Sequence, residues 1–117
     1  KTNMAITYKW ICSDCDVYPS KNSKSNVVHA VHWILRGTDD ANKDSDGNNI
    51  TSDRYGTQDI DTSDLSNFKN WSELTASDTQ GWVEDAMGEE KVKDLKAAID
   101  ADISEKISPN TVNKKLG

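Results

Sequence analysis

The sequence has few of the residues that mark disulfide-rich or membrane-spanning proteins. It contains two cysteines, two prolines and one phenylalanine among 117 residues. Two cysteines cannot form a disulfide framework, and both are expected to be free thiols in a reducing compartment. The longest apolar run, VVHAVHWIL at 27–35, is too short to span a bilayer. These deficits favour a small globular domain without covalent cross-links.

Positive charge is also in short supply. The chain has 14 basic and 20 acidic side chains, which gives a net charge of −6. Residues 1–58 are neutral, so the whole excess lies in residues 59–117. No basic stripe is visible that could follow nucleic acid phosphates or lie on an anionic membrane. We therefore expect a protein partner, with no binding to nucleic acid and none to a membrane.

Aliphatic residues are scarce, but aromatic residues compensate. Leu, Ile, Val and Phe together make up less than a fifth of the chain, a fraction typical of disordered segments. The four tryptophans and three tyrosines can each bury a large surface. We expect a folded chain with a small core built around aromatic side chains.

The first half of the chain predicts three strands. Met4–Ile11 alternates apolar and polar residues, and Asn26–Arg36 and Ile50–Ile60 are rich in β-branched residues. A polar loop is predicted at Ser20–Asn26. Gly37 is predicted to begin a turn that leads into a hydrophilic loop over 38–49. Short connections favour antiparallel neighbours, which predicts a β-meander.

The second half changes to a helical period. Thr75 and Asp78 have the spacing of a helix start, and Gly88 is predicted to end that helix. A second amphipathic helix follows and ends before Pro109. The following side chains are expected to close the core over the sheet: Phe68, Trp71, Leu74, Trp82, Leu95 and Ile99.

These patterns predict one α+β domain over residues 1–117. A three-stranded antiparallel β-meander occupies 4–60, and a helical segment at 65–109 supplies two C-terminal helices that pack on the sheet. Residues 110–117 are expected to form a tail. A chain of this length is typical of a single domain.

Several of these features together resemble a known family. The chain has an aromatic first strand, a second strand that ends in Trp, a G-T-D turn and the pattern F-x-x-[WYF]-x-x-L-T-x-x-x-x-x-W-[VI]. The matching positions are Trp33, Gly37-Thr38-Asp39, Phe68, Trp71, Leu74-Thr75 and Trp82-Val83. The order resembles a family of small uncharacterised proteins of tailed bacteriophages, including marine and cyanobacterial phages. The match covers about residues 4–109, and the chain departs from it in the longer loop at 38–50 and in Cys12-x-x-Cys15.

The resemblance implies a virion-associated structural or accessory protein that works by protein–protein contact, in the virion or the host cytoplasm. The family has no assigned activity, so no catalytic residue carries over and we expect no enzyme. A homo-oligomer or another virion protein is the expected partner. Two alternatives remain open: a small metal-binding module that holds calcium or zinc, and a phage inhibitor of a host protein.

A zinc site is the first candidate for chemistry. Cys12-x2-Cys15-x13-His29-x2-His32 approximates the Cys₂His₂ pattern, although the histidine spacing is one residue short. A step of three residues on a regular strand sends each pair to opposite faces. We therefore expect strand histidines and incidental thiols rather than a zinc site.

A calcium loop is the second candidate. Asn42, Asp44, Asp46 and Gly47 match the start of the loop D-x-[DN]-x-[DN]-G, and Asp53 stands at position twelve. No helix precedes this loop, and hairpin turns commonly use the same residues. We expect no resident cofactor, with calcium at Asn42, Asp44, Asp46 and Asp53 as the alternative.

The second strand is apolar on both faces, which points to an interaction surface. Regular alternation puts Val28, Ala30, His32 and Ile34 on the face opposite Trp33. Strands that are apolar on both faces are usually buried on both, but two helices can cover only one. We therefore predict that Val28, Ala30, His32 and Ile34 contact a partner or a second copy.

Overall fold

The computed structural model describes residues 6–66, 68–108 and 113–117, and it has the expected α+β architecture. Three antiparallel strands form one sheet in the order β1-β2-β3. A 3₁₀ turn and two helices follow and pack on the sheet. The bounds are β1 Ile6–Lys21, β2 Lys24–Lys43, β3 Asn49–Asp59, the 3₁₀ turn Trp71–Glu73, α1 Ala76–Met87 and α2 Glu89–Ile107. The predicted strand start at Met4 and helix stop at Pro109 lie outside the described residues.

Strand β1 is longer than predicted because its pairing with β2 continues past a bulge that contains one extra residue. Ile11 pairs with Ile34, and Asp14 pairs with His32, so β1 has one residue more than β2 in this interval. Such a β-bulge bends the strand but lets pairing continue beyond it. Strand β1 therefore continues through Asp14-Cys15-Asp16, beyond the end at Ile11 that was predicted from the sequence.

The predicted polar loop at Ser20–Asn26 is wrong. Lys21 pairs with Lys24, so only two residues connect β1 to β2. Both connecting residues have positive φ, 49° at Asn22 and 66° at Ser23. This conformation is typical of the tight hairpin turn whose twist matches that of the flanking strands.

The predicted turn at Gly37 is also wrong, since β2 continues to Lys43. Asp39 is fully buried at this point. Its carboxylate accepts hydrogen bonds from the Ala41 amide at 2.8 Å and from Nδ2 of Asn42 at 3.0 Å. These local donors satisfy the buried carboxylate and support an irregular stretch between Asp39 and Lys43.

The length of the strands makes the molecule elongated. A strand of 20 residues such as β2 spans about 66 Å at ~3.3 Å per residue. The longest dimension of the molecule is 69 Å. Helix α2, with 19 residues, spans only about 28 Å at ~1.5 Å per residue. Helix α2 alone therefore spans less than half of the length of β2, and α1 packs on a different part of the sheet.

The predicted start of α1 at Thr75 and its predicted end at Gly88 are confirmed. Oγ1 of Thr75 accepts the Asp78 amide at 3.2 Å, and the Asp78 carboxylate accepts the Thr75 amide at 3.0 Å, which completes a capping box. Gly88 separates the two helices with φ of 91°. The Thr79 hydroxyl of α1 donates to the carbonyl oxygen of Cys12 at 2.6 Å. This bond fastens α1 to the bulge of β1.

The core lies between the helices and one face of the sheet. Val83, Ile99 and Ile103 of the helices are fully buried against Val31 and Leu35 of β2. Leu74, Trp82 and Leu95 pack around this cluster, as predicted. Phe68 and Trp71 are exceptions, because Phe68 does not pack against this cluster and 45% of the surface of Trp71 is exposed.

Two glycines allow close packing in this core. A Cβ on Gly37 would overlap Cγ2 of Ile99, and a Cβ on Gly56 would lie 2.9 Å from the ring of Trp33. Real Cβ atoms are not found this close to another heavy atom. Gly37 therefore lets α2 approach β2, and Gly56 leaves room for the ring of Trp33.

Polar contacts fix α2 along the strands. The Ser52 hydroxyl donates to Asp102 at 2.7 Å, and Lys106 donates to the carbonyl oxygen of Thr51 at 2.6 Å. The Tyr8 hydroxyl donates to Asp100. Burial and this bond to Asp100 raise the pKa of Tyr8 to about 12.

Candidate functional site

The helices leave the other face of the sheet uncovered. We call this surface the open face and define it by five rows of side chains that run across β1, β2 and β3. None of its members belongs to the core cluster or packs against it. The rows are Thr7–Thr38–Thr51, Lys9–Arg36–Asp53, Ile11–Ile34–Tyr55, Asp14–His32–Thr57 and Asp16–Ala30–Asp59.

The central row of the open face is apolar. Ile11 and Ile34 are half-buried, whereas 81% of the surface of Tyr55 is exposed. The row borders a shallow depression of about 610 Å³ that also reaches Asp14 and His32. Tyr55 projects from a regular strand beside the two isoleucines. Its ring therefore offers apolar area to a partner without a change in the backbone.

A bidentate ion pair lies on one side of this row. Nε and Nη2 of Arg36 donate to the two carboxylate oxygens of Asp53 at 2.8 and 2.9 Å. The bond to Arg36 lowers the pKa of Asp53, and the bond to Asp53 raises the pKa of Arg36. Both side chains are partly exposed, so the pair fixes their positions more than it stabilises the fold.

On the other side, His32 links all three strands. Its Nε2 lies 3.0 Å from Oδ1 of Asp16 on β1, and its Nδ1 lies 2.9 Å from Oγ1 of Thr57 on β3. The hydrogen bond to Asp16 raises the pKa of His32, helped by the charges of Asp16 and Asp14. The orientation of the ring is therefore set before any partner arrives.

We expect His32 to titrate above the ordinary histidine value of about 6.5 in an NMR titration. Asp16→Asn should lower this pKa, because the neutral amide stabilises the imidazolium less than the carboxylate does. A raised pKa adds stability that is complete below the pKa of the unfolded chain and is lost as pH rises through the folded value. Asp59→Asn is the control, because Asp59 lies on the same face while the side-chain partners of His32 are Asp16 and Thr57. Equal shifts in both variants would contradict the assignment of Asp16 as the partner.

The structure divides the four predicted interaction residues between the two faces. Asp16 pairs with Ala30 and Val17 pairs with Val28, so β2 carries an extra residue at His29. This irregularity moves Val28 into the core cluster on the covered face, which corrects its predicted position. Ala30, His32 and Ile34 lie on the open face, although the side chain of Ala30 is buried.

Two important residues of the open face were missed in the sequence. Ile11 belongs to the apolar alternation of β1 but follows Trp10, and Tyr55 lies in the weakest predicted strand. Only the pairing of Ile11 with Ile34 and of Ile34 with Tyr55 brings them into one row. Tyr55 shares its face with the polar residues Thr51, Asp53 and Thr57 and not with Ile50, and this alternation was the signal that could have placed Tyr55 outward.

The predicted zinc ligands are not brought together. The bulge puts Cys12 and Cys15 on the same covered face, contrary to the expected alternation. Burial raises the pKa of the Cys12 thiol to about 11 and raises that of Cys15. His32 is on the open face with Asp16, and His29 stacks on Tyr18 with ring centroids 4.2 Å apart.

The predicted calcium ligands make other contacts. Nδ2 of Asn42 donates to Asp39, and the carboxylate of Asp44 accepts the amides of Asp46 and Asn48 within the turn. Asp53 is held by Arg36 on the open face. Within the described residues, no group of three or more His, Cys, Asp or Glu side chains is arranged to hold a metal ion.

Comparison with known proteins finds one family. The family model described as Domain of unknown function (DUF7936) matches residues 5–116. No curated protein and no solved structure shows significant similarity to the chain. Among the described residues, neither helix has the length and apolar character that a membrane span requires.

Proposed function

The chain belongs to the DUF7936 family, and we propose that it is a protein-interaction module that acts through the open face of its sheet. The observation that carries this proposal is Tyr55, 81% exposed at the end of the apolar row that Ile11 and Ile34 complete. Tyrosine is enriched among the side chains that contribute most to binding at protein interfaces.

The polar groups of the open face suit docking better than catalysis. Both ring nitrogens of His32 already have partners, and Nε and Nη2 of Arg36 both donate to Asp53. Side chains whose positions are set in advance lose little entropy when a partner binds. We propose no catalytic role for them.

We further propose that the chain is a structural or accessory component of a tailed-bacteriophage particle. The support for this setting is the sequence resemblance carried by Trp33, Gly37-Thr38-Asp39 and the segment from Phe68 to Val83. Two residues of that motif have structural roles. Gly37 allows α2 to pack closely on β2, and the carboxylate of Asp39 accepts a hydrogen bond from the Ala41 amide in the irregular stretch of β2. A protein that works by contact would need a stable scaffold of this kind.

Mass spectrometry of purified virions tests this proposal. The protein should be present in wild-type particles, and Tyr55→Arg in the phage genome should lower its copy number at least about threefold, because a buried unpaired charge opposes docking. Ala101→Arg adds the same charge to an exposed position of α2 and should leave the copy number unchanged. Absence of the wild-type protein from the particle would contradict the virion role.

A further inference from the structure

The geometry of the open face points to a second copy of this chain as its partner. We propose that two open faces pack against each other around a twofold axis that lies along the Ile11–Ile34–Tyr55 row. This inference rests on the proposed function, because it uses the same docking face. It adds the identity of the partner, the orientation and the residues that select it.

The charges on the two sides of the apolar row are opposite. On one side Lys9 is exposed, and on the other side Asp14 is exposed, both on β1. Arg36 is neutralised by Asp53, and His32 is bonded to Asp16. Neither Lys9 nor Asp14 forms an ion pair with any of the described residues, so both remain available to a partner.

A twofold axis along the apolar row brings these charges together. Rotation about this axis reverses the order of the rows, so the row of Lys9 faces the row of Asp14 in the partner subunit. Each dimer then contains this contact twice, because a twofold interface is isologous. An axis parallel to the strands would instead turn each row end to end onto itself, so Lys9 would face Asp53, which already pairs with Arg36, and Asp14 would face the uncharged Thr57. Only the first arrangement pairs the two free charges with each other.

The apolar row fits the centre of such an interface. Residues on the axis meet their own equivalents, so Ile34 would pack on Ile34 of the partner subunit. Two sheets pack face to face about 10 Å apart, with their strands rotated by about 30°. At that separation Ile11, Ile34 and Tyr55 fill the gap near the axis, and the longer Lys9 side chain reaches across it.

The available area is sufficient for a weak to moderate dimer. The paired part of the open face has about ten residues per strand at ~3.3 Å each and three strands at ~4.8 Å each, or about 475 Å² if the sheet is treated as flat. Two copies contribute about 950 Å², close to the ~1,000 Å² expected of a biological interface. Isoleucines at the centre and charges at the border also match the usual anatomy of an interface.

Sedimentation velocity on charge-reversal variants tests the inference. The wild type should form dimers at high micromolar concentration, and Lys9→Asp or Asp14→Lys should each weaken self-association at least about tenfold, because like charges then face each other twice. An equimolar mixture of the K9D and D14K chains should recover the dimer as a heterodimer, since opposite charges face each other again. Lys93→Asp on the exposed side of α2 should have no effect.

Two results would overturn the inference: a wild type that stays monomeric at 1 mM, or a mixture that does not recover the dimer. Neither result touches the proposed function, because the Tyr55→Arg virion test can succeed with a different partner. Conversely, recovery in the mixture together with unchanged virion content of Tyr55→Arg would support self-docking and contradict the wider role. The two failures are therefore distinguishable.

Discussion

Replacing Ile99 by alanine is expected to lower the free energy of unfolding by about 2–5 kcal/mol, since truncation of a buried isoleucine loses its burial and leaves a cavity. Ile99 is fully buried and lies where α2 approaches β2 at Gly37. Urea denaturation followed by tryptophan fluorescence measures the change. Ile107→Ala near the end of the same helix is the matched control, and it should cost less because Ile107 is only half-buried.

The close approach at Gly37 sharpens this prediction through a double-mutant cycle. Gly37→Ala alone should cost about 1–3 kcal/mol, because its Cβ overlaps Cγ2 of Ile99, a stiff branched atom. Ile99→Ala removes that atom, so the double variant should lose less stability than the sum of the two single variants. Additive losses would mean that α2 does not pack on the sheet at Gly37.

Replacing Tyr55 by alanine is expected to weaken self-association about 30-fold, which corresponds to the ~2 kcal/mol of a central aromatic contact. The free energy of unfolding should change by less than about 0.5 kcal/mol, because surface substitutions rarely do more. Self-association and the free energy of unfolding should respond differently because 81% of the surface of Tyr55 is exposed in the single chain. Sedimentation equilibrium and urea denaturation on the same sample measure both quantities.

Trp71→Ala distinguishes a specific surface from general stickiness. Trp71 is also an exposed aromatic residue, at 45%, but it lies in the 3₁₀ turn and not on the open face. Its removal should leave self-association unchanged. If Trp71→Ala weakened association as much as Tyr55→Ala, association would depend on exposed aromatic surface in general, and the docking role of the open face would be wrong.

Local signals made much of the fold predictable from the sequence. The alternation of apolar and polar residues predicted the first strand, and in β1 the apolar side chains Ile6, Tyr8 and Trp10 pack against the core. Thr75 and Asp78 were recognised as a helix start because a capping box needs only residues three positions apart. Gly88 was recognised because a helix stop with positive φ favours glycine.

The set of side chains on the open face could not be predicted from local sequence, because it depends on strand register. Register is set by the pairing of residues that are distant in the sequence. One extra residue in β1 near Cys12 and one in β2 at His29 each reverse the alternation, and a reversal moves every following side chain to the other face. Val28 was misplaced for this reason. Asp53 remained a candidate calcium ligand in the alternative interpretation, because nothing in the local sequence shows that Arg36 stands opposite it.

The polar stretches of the hairpins were misjudged for a related reason. Thr38 and Asp39 read as loop residues, but Asp39 is buried and satisfied by Ala41 and Asn42, so the strand continues through them. Asn22 and Ser23 occupy a turn of two residues where a longer loop was expected. Composition indicates that a turn is near, but pairing decides where it falls.

The central claim is that the open face is where this chain meets a second copy of itself. An isotope-filtered NMR experiment on a mixture of isoleucine-methyl-labelled and unlabelled chains tests this most directly. We predict contacts between copies at the methyl groups of Ile34 and Ile11 and at the ring of Tyr55, with none at Ile99 or Ile103 under α2. Contacts that instead involve the outer surface of α2, or none at concentrations where dimers form, would contradict the account.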